Sequence, residues 1–419
     1  MSWREASYLK GWSERIGQSG AHERLDTLRL PNRRDEDWRF VRLKDFAGST
    51  FERSLELPSG SASDEAIGAS VYEDVGARLV FVNGVWDKAR SSADVKGVTI
   101  EHACEPGSLS GHVGDVVEQG FGQDYFAQVN ASAWVHAVAV HVDKNTSVDQ
   151  ALHVLFVNTG DVGVSTHPFV HVHVGAGARV DVIEEHVGTG DTAHWTNVVV
   201  EAKLEANARL NHVKLQRENT ESFHVARTAV HLKDGAHYAS ISATFGAKLS
   251  RHDLWADVQG SNTTCELHGL AVVSGKQVAD THSTMNHARP GSMSDQLHKC
   301  IVSERAHAVF NGKIVVQQAA QQTNAFQLNR NLLLSNHAKV DTKPQLEIFA
   351  DDVKCSHGAT IGQLDEDQLF YLRSRGISPE KGLGMLTYAF AAELVDKVPV
   401  HSVRSTLADL IGQHIRTTD

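Results

Sequence analysis

Short runs in which apolar and polar residues alternate fill the middle of the chain: HAVAVHV (136–142), FVHVHV (169–174), NVVVEAKL (197–204) and RTAVHLK (227–233). Period two puts successive side chains on opposite faces, and β-branched valine suits a pleated surface, so these runs predict strands. This character holds from Arg78 to Gly362. Ahead of it, residues 1–75 read as mostly helical. Leu9, Trp12 and Ile16 fall at helical spacing, PNRRDEDWRFVRL (31–43) follows, and the small, polar PSGSASDEAIGAS (58–70) predicts a linker. Behind it, helical periodicity returns at Leu364. Asp365 is placed to cap a helix carrying Leu369, Phe370 and Leu372, and Gly376 to stop it. Ser378-Pro379 opens a second helix with Leu383, Leu386, Phe390 and Leu394 on one face. Pro399 ends that helix, and Leu407, Leu410 and Ile411 mark a third. The chain therefore divides into a helical domain (1–75), a β core (76–363) and a helical C-terminal domain (364–419).

A repeat underlies the strands. NTSVD (145–149), GARVD (177–181), NARLN (207–211), GAHYA (235–239), TTCEL (263–267), RAHAV (305–309) and HAKVD (337–341) each set a small residue at a bend and an apolar one two later. The small residues are Thr146, Ala178, Ala208, Ala236, Thr264, Ala306 and Ala338, at intervals of 32, 30, 28, 28, 42 and 32. A turn-then-strand unit near thirty residues predicts a stacked architecture in which each unit buries its face on the next. A parallel β-helix with two strands per coil satisfies this; a β-sandwich with regular turns is the alternative.

With 40 basic and 51 acidic residues the net charge is −11, a poor match to nucleic acid, whose binding needs a cationic footprint. No apolar run approaches the length of a membrane span. The opening MSWREASYLKGWSERIG is too charged for a signal sequence. Cys104, Cys265, Cys300 and Cys355 lie far apart with no Cys-x-x-Cys, which argues against a disulfide framework and fits a reducing cytoplasm.

The absence of familiar catalytic motifs narrows the chemistry. VVSGKQ (272–277) lacks the first glycine and the hydroxyl residue of a phosphate loop, and no G-x-S-x-G elbow occurs. His171 and His173 share one strand face and read as a polar surface. Glu184-Glu185 and Asp351-Asp352 suggest glycoside chemistry on a β-helix, but neighbours on a strand point to opposite faces. Cys104, Cys265 and Cys300 read as small buried apolar side chains. Cys355 and His357, two apart on an extended segment, face the same way. A thiol and an imidazole suit iron or zinc, but two ligands do not complete a site: spacing alone favours a structural role, and a metal site here requires its missing ligands from another chain.

VDTKPQLEIFADDVKCSHGATIGQLDEDQLFYLRSRGIS (340–378) resembles the SufB/SufD family of iron–sulfur cluster assembly proteins, on the SufD side of it. PNRRDEDWRF is similar to that family's N-terminal signature and AFAAEL (389–394) to its C-terminal helix, so the resemblance spans essentially the whole chain. It implies a mainly β protein: a right-handed parallel β-helix flanked by N- and C-terminal helical domains. It implies a non-catalytic cytoplasmic scaffold that pairs with a SufB-type subunit through the β-helix ends and docks a SufC-type ATPase on the C-terminal domain. The docking region falls on Asp365, Leu369, Phe370, Tyr371, Arg373, Arg375 and Phe390. His357, with Cys355 as its companion, matches the interface position where a nascent iron–sulfur cluster forms, a transient group shared with the partner. Reduced flavin, where it takes part, belongs to the full complex, and an isolated chain is able to self-pair through the same edge. Two departures separate the chain from SufB-like autonomous scaffolds. Gly358 stands where those carry glutamate, and LNRNLLLS (328–335) offers asparagine and arginine near their cluster-building cysteine.

Overall fold

A computed structural model describes residues 21–58, 62–104, 109, 113–159 and 163–416. Successive strands fall alternately into two long sheets. One runs Ala137–Val142, Phe169–Val174, Trp195–Leu204, Phe223–Leu232, Leu249–Val258, Val278–His287, His307–Val316 and Lys339–Ile348. The other runs Ala151–Asn158, Arg179–Gly188, Arg209–Arg217, His237–Thr244, Thr264–Val273, Met293–Val302, Asn324–Leu333 and Lys354–Gly362. Each strand pairs in parallel with the strand one coil away. That is a parallel β-helix and excludes the sandwich. Among the described strands, antiparallel pairing is confined to its N-terminal end, between Val75–Val82 and Val85–Trp86 and between Val98–Ala103 and Ala137–Val142.

The repeat has a backbone cause. Asn145, Gly177, Asn207, Gly235, Asn262, Gly291 and Gln322 all hold left-handed φ between 54 and 76° at one corner of successive coils. Glycine adopts this region freely, and asparagine tolerates it better than most residues. The two alternate because an asparagine amide occupies the space that a Cβ would need on the next coil. A Cβ on Gly177 would lie 2.6 Å from Asn145 Oδ1, and one on Gly291 2.5 Å from Asn262 Oδ1. One residue later Ala178, Ala208, Ala236, Thr263, Ser292 and Thr323 are buried. The expected repeat therefore needs correcting after its fourth copy. The fifth small residue is Thr263 rather than Thr264, and Ala306 and Ala338 belong to the opposite corner, entering the other sheet. The interval of 42 marks the jump between corners.

Two outer layers cover the β-helix. On the first sheet, Trp38, Phe46, Phe51 and Phe126 pack with Trp195 and Phe223. The Arg251 guanidinium lies 4.2 Å from the Trp38 ring and pairs with Asp253 and Asp280, which fixes the 31–43 segment to the strands. On the second sheet, Ala391, Leu394, Val398, Val403, Leu407 and Ile411 cover Ile183, Val213, Ile241, Leu270 and Ile301.

The linker expected at 58–70 is instead partly helical, over Ala62–Ala69, with Ala66 and Ile67 packed on Val80, Val82 and Leu155. Small residues suit a helix that must approach a sheet closely as well as they suit a turn. Helices Asp115–Phe121 and Tyr125–Ala133, unforeseen within the β core, join the first layer. Leu9, Trp12 and Ile16 lie outside the described residues. No helix among those described is long and apolar enough to cross a membrane.

Candidate site at the open end of the β-helix

Each inward position of a parallel β-helix forms a column along the axis. Register places Val182, His212, Ser240, Leu267, Gln296, Gln327 and His357 in one column. Leu210, Tyr238, Cys265, Ser294, Ala325 and Cys355 stand in the adjacent one. His212, Gln296 and Gln327 are buried, whereas His357 is exposed and Cys355 half-buried. The last two side chains thus face inward and meet solvent only because the stack of described strands stops there. Ile348 and Ile361, also at inward positions of the last coil, are 41% and 50% exposed. Lys339–Ile348 and Lys354–Gly362 are the free edges of their sheets.

Burial pushes the Cys355 thiol above its ordinary pKa, partly offset by a hydrogen bond with the Ala325 backbone. A thiol of this kind becomes a ligand once a cation takes the place of its proton. Beneath it the interior is polar but holds few thiols. Gln327 donates to Gln296 at 3.2 Å, and Ser283 donates to Gln296 at 2.8 Å. Asn329 and Asn331, buried in the penultimate coil, bond each other at 2.6 Å. Arg330 points outward, 3.9 Å from Glu393. Cys300 is buried and its pKa pushed up to about 12 by that burial. Gly358 lies on the opposite strand face from His357, where a Cβ would meet Leu328 Cδ1 at 3.3 Å. An acidic side chain there would point away from His357.

The residues expected to dock the ATPase separate into two groups. Asp365 caps the helix Glu366–Ser374 by accepting from Asp367 N–H, and no residue of that helix is buried. Phe370 and Tyr371 are 70% and 57% exposed, and Arg373 and Arg375 stand beside them at the surface. Leu369 is half-buried. Phe390 belongs to the inner layer: it is half-buried against the second sheet, its ring lies 5.1 Å from Lys299 Nζ, and its carbonyl accepts from that ammonium at 2.7 Å.

Other candidates resolve clearly. Glu184 and Glu185 are both buried. Glu184 is paired with His186, His212 and Lys214 inside the helix, and Glu185 with His153 and Arg217 on its outer side. Neither faces a substrate groove, so the polysaccharide-active reading loses this pair; Asp351 and Asp352 are exposed beside the last strand. Cys265 and Cys300 are buried as expected, but Cys104 is exposed at the end of Val98–Ala103, beside His102 and His136. That juxtaposition was missed, although His102-x-Cys104 has the same two-residue spacing as Cys355-x-His357.

Residues 156–390 match the family model described as SUF system FeS cluster assembly, SufBD core domain. An iron–sulfur cluster assembly SufBD family protein of Synechocystis sp. is 37% identical over 94% of this chain and 90% of its own length. The iron–sulfur cluster assembly protein SufD of Escherichia coli is 34% identical over 96% of this chain and 94% of its own. A chloroplastic Arabidopsis thaliana protein, ABCI7, is 33% identical over 93% and 84%. The chain belongs to the SufBD family of iron–sulfur cluster assembly proteins.

Proposed function

From that membership we propose that the chain is a SufD-type, non-catalytic scaffold subunit whose open β-helix end pairs with the matching end of a SufB-type subunit. The observation that carries this is the inward-facing pair Cys355 and His357, left uncovered where the stack ends. A second β-helix seated there pairs the free edges Lys339–Ile348 and Lys354–Gly362, covers Ile348 and Ile361, and supplies the ligands that this chain lacks. The nascent iron–sulfur cluster is then cargo held between two chains: four thiolate-class ligands are the norm for such clusters, and this end offers one thiol and one imidazole. Reduced flavin, where used, acts in the full complex. Without its partner the same edge serves self-pairing. All four cysteines are free, in keeping with a cytoplasmic location.

The exposed helix Glu366–Ser374 is the docking element for a SufC-type ATPase, through Phe370 and Tyr371 with Arg373 and Arg375 at the rim. The three-part division 1–75, 76–363 and 364–419 belongs to the same reading. Deleting 364–419 is a poor test, because it would also strip Leu394, Val403 and Leu407 from the second sheet. The double substitution Phe370→Ala, Tyr371→Ala leaves that packing intact and is expected to abolish ATPase co-purification with an unchanged melting temperature. For the end-to-end pairing, hydrogen exchange is read on the chain with and without a co-expressed SufB-type subunit. Slowed exchange confined to 339–348 and 354–362 is expected; unchanged exchange there would sink the proposal.

A further inference from the structure

Far from the open end, His102, Cys104 and His136 meet on one face of an antiparallel strand pair. His102 and Cys104 are two apart at the end of Val98–Ala103, so their side chains share a side. Ala103 pairs with Ala137, which sets Cys104 opposite His136 across the ladder. The side chains converge accordingly. Cys104 Sγ lies 3.6 Å from His136 Nδ1 and 3.9 Å from His102 Nε2, and the two ring nitrogens are 2.7 Å apart. Among the described residues this is the one group of three or more His, Cys, Asp or Glu with ligand atoms mutually within 4.8 Å.

We propose that His102, Cys104 and His136 form a binding site for a zinc-class divalent cation, with the fourth position left to solvent. A tetrahedral ion with bonds of about 2.3 Å to sulfur and about 2.05 Å to nitrogen sets S···N near 3.5 Å and N···N near 3.3 Å. The sulfur distances already approach these values, and separating the rings by roughly half an ångström supplies the rest. One thiolate with two imidazoles and no carboxylate selects zinc-class ions over magnesium or calcium. Trp86 packs on His102 at 4.0 Å between ring centroids and limits its rotation. Binding replaces the Cys104 thiol proton with a metal–sulfur bond and releases that proton to solvent. Three protein ligands and an exposed sulfur make the site exchangeable rather than a closed structural one.

Cobalt(II) is the probe, titrated anaerobically into the full chain carrying Cys355→Ser and His357→Ala so that the open end cannot contribute. The expected result is one equivalent bound, with a thiolate-to-cobalt charge-transfer band and intense tetrahedral d–d absorption, both displaced by zinc. Adding Cys104→Ser removes the charge-transfer band, and adding His136→Ala instead removes tetrahedral binding. Cys104 is exposed, so its substitution leaves the melting temperature unchanged, which separates a lost ligand from a lost fold. No charge-transfer band in the starting variant, or a band that survives Cys104→Ser, would overturn the assignment.

Discussion

His212 and His357 stand in the same register column and both turn toward the β-helix axis, yet only one is covered. His212 is buried, with Nε2 3.0 Å from Glu184 and Nδ1 3.1 Å from the Tyr238 hydroxyl. It belongs to a closed polar layer: burial pushes the Glu184 carboxyl up, but Lys214, with hydrogen bonds from His186 and His212, outweighs this and holds it well below the usual range. His357 has the same orientation without a next coil. Position in the stack, rather than local backbone, makes one histidine a structural partner and leaves the other uncovered.

The strongest way to sharpen this contrast is to unpair the inner layer. Lys214→Met leaves Glu184 buried without its cation, and is expected to destabilise the chain by ~3–5 kcal/mol in urea titrations. His357→Ala is expected to change stability by less than about 0.5 kcal/mol, as exposed substitutions generally do. Equal effects would erase the distinction between the two regions.

Acidification tests the interior as a whole. Burial lowers the His186 and His287 pKa values to about 4 and that of His298 to about 3, from 6.5. For groups depressed on folding, the unfolded chain binds more protons between the two values, so their stabilisation is complete above pH 6.5 and is lost as pH falls through 4. An imidazole depressed to about 4 gives up on the order of 3 kcal/mol by pH 4. Glu184 and Glu218, also depressed, act in the same direction at lower pH still. The melting temperature is expected to drop steadily from pH 6.5 to 4. A flat profile over that window would contradict a neutral, buried histidine interior.

The smallest effect separates two glycines. Gly177 has φ +69° and no room beside Asn145, so Gly177→Ala is expected to cost about 1–2 kcal/mol. Gly358 lacks a left-handed φ and faces only Leu328, so Gly358→Ala should cost a few tenths of that. Denaturant midpoints of the two variants check this.

Much of the architecture was legible because period two and the corner residues are local. FVHVHV coincides with a strand, and Thr146, Ala178, Ala208 and Ala236 each directly follow a left-handed residue of one corner. The reading slipped at Thr264 because both corners accept small residues, and sequence does not label which corner a turn occupies. The segment 58–70 reads as a linker because the burial of Ala66 and Ile67 depends on strands fifteen and ninety residues beyond Ile67, at Val82 and Val157. At the site, the common orientation of Cys355 and His357 followed from spacing alone. Their exposure did not, since it depends on where the stack ends. His136 joins His102 and Cys104 only through antiparallel pairing, which no local pattern announces.

The most direct test of the central account is cluster formation by the chain co-expressed with a SufB-type subunit and a SufC-type ATPase, wild type against His357→Ala. Complex mass is measured first, then cluster absorbance after anaerobic supply of ferrous iron and sulfide. The account predicts an intact complex that forms markedly less cluster. An intact complex with a full cluster yield would contradict a ligand role for the uncovered end of this β-helix.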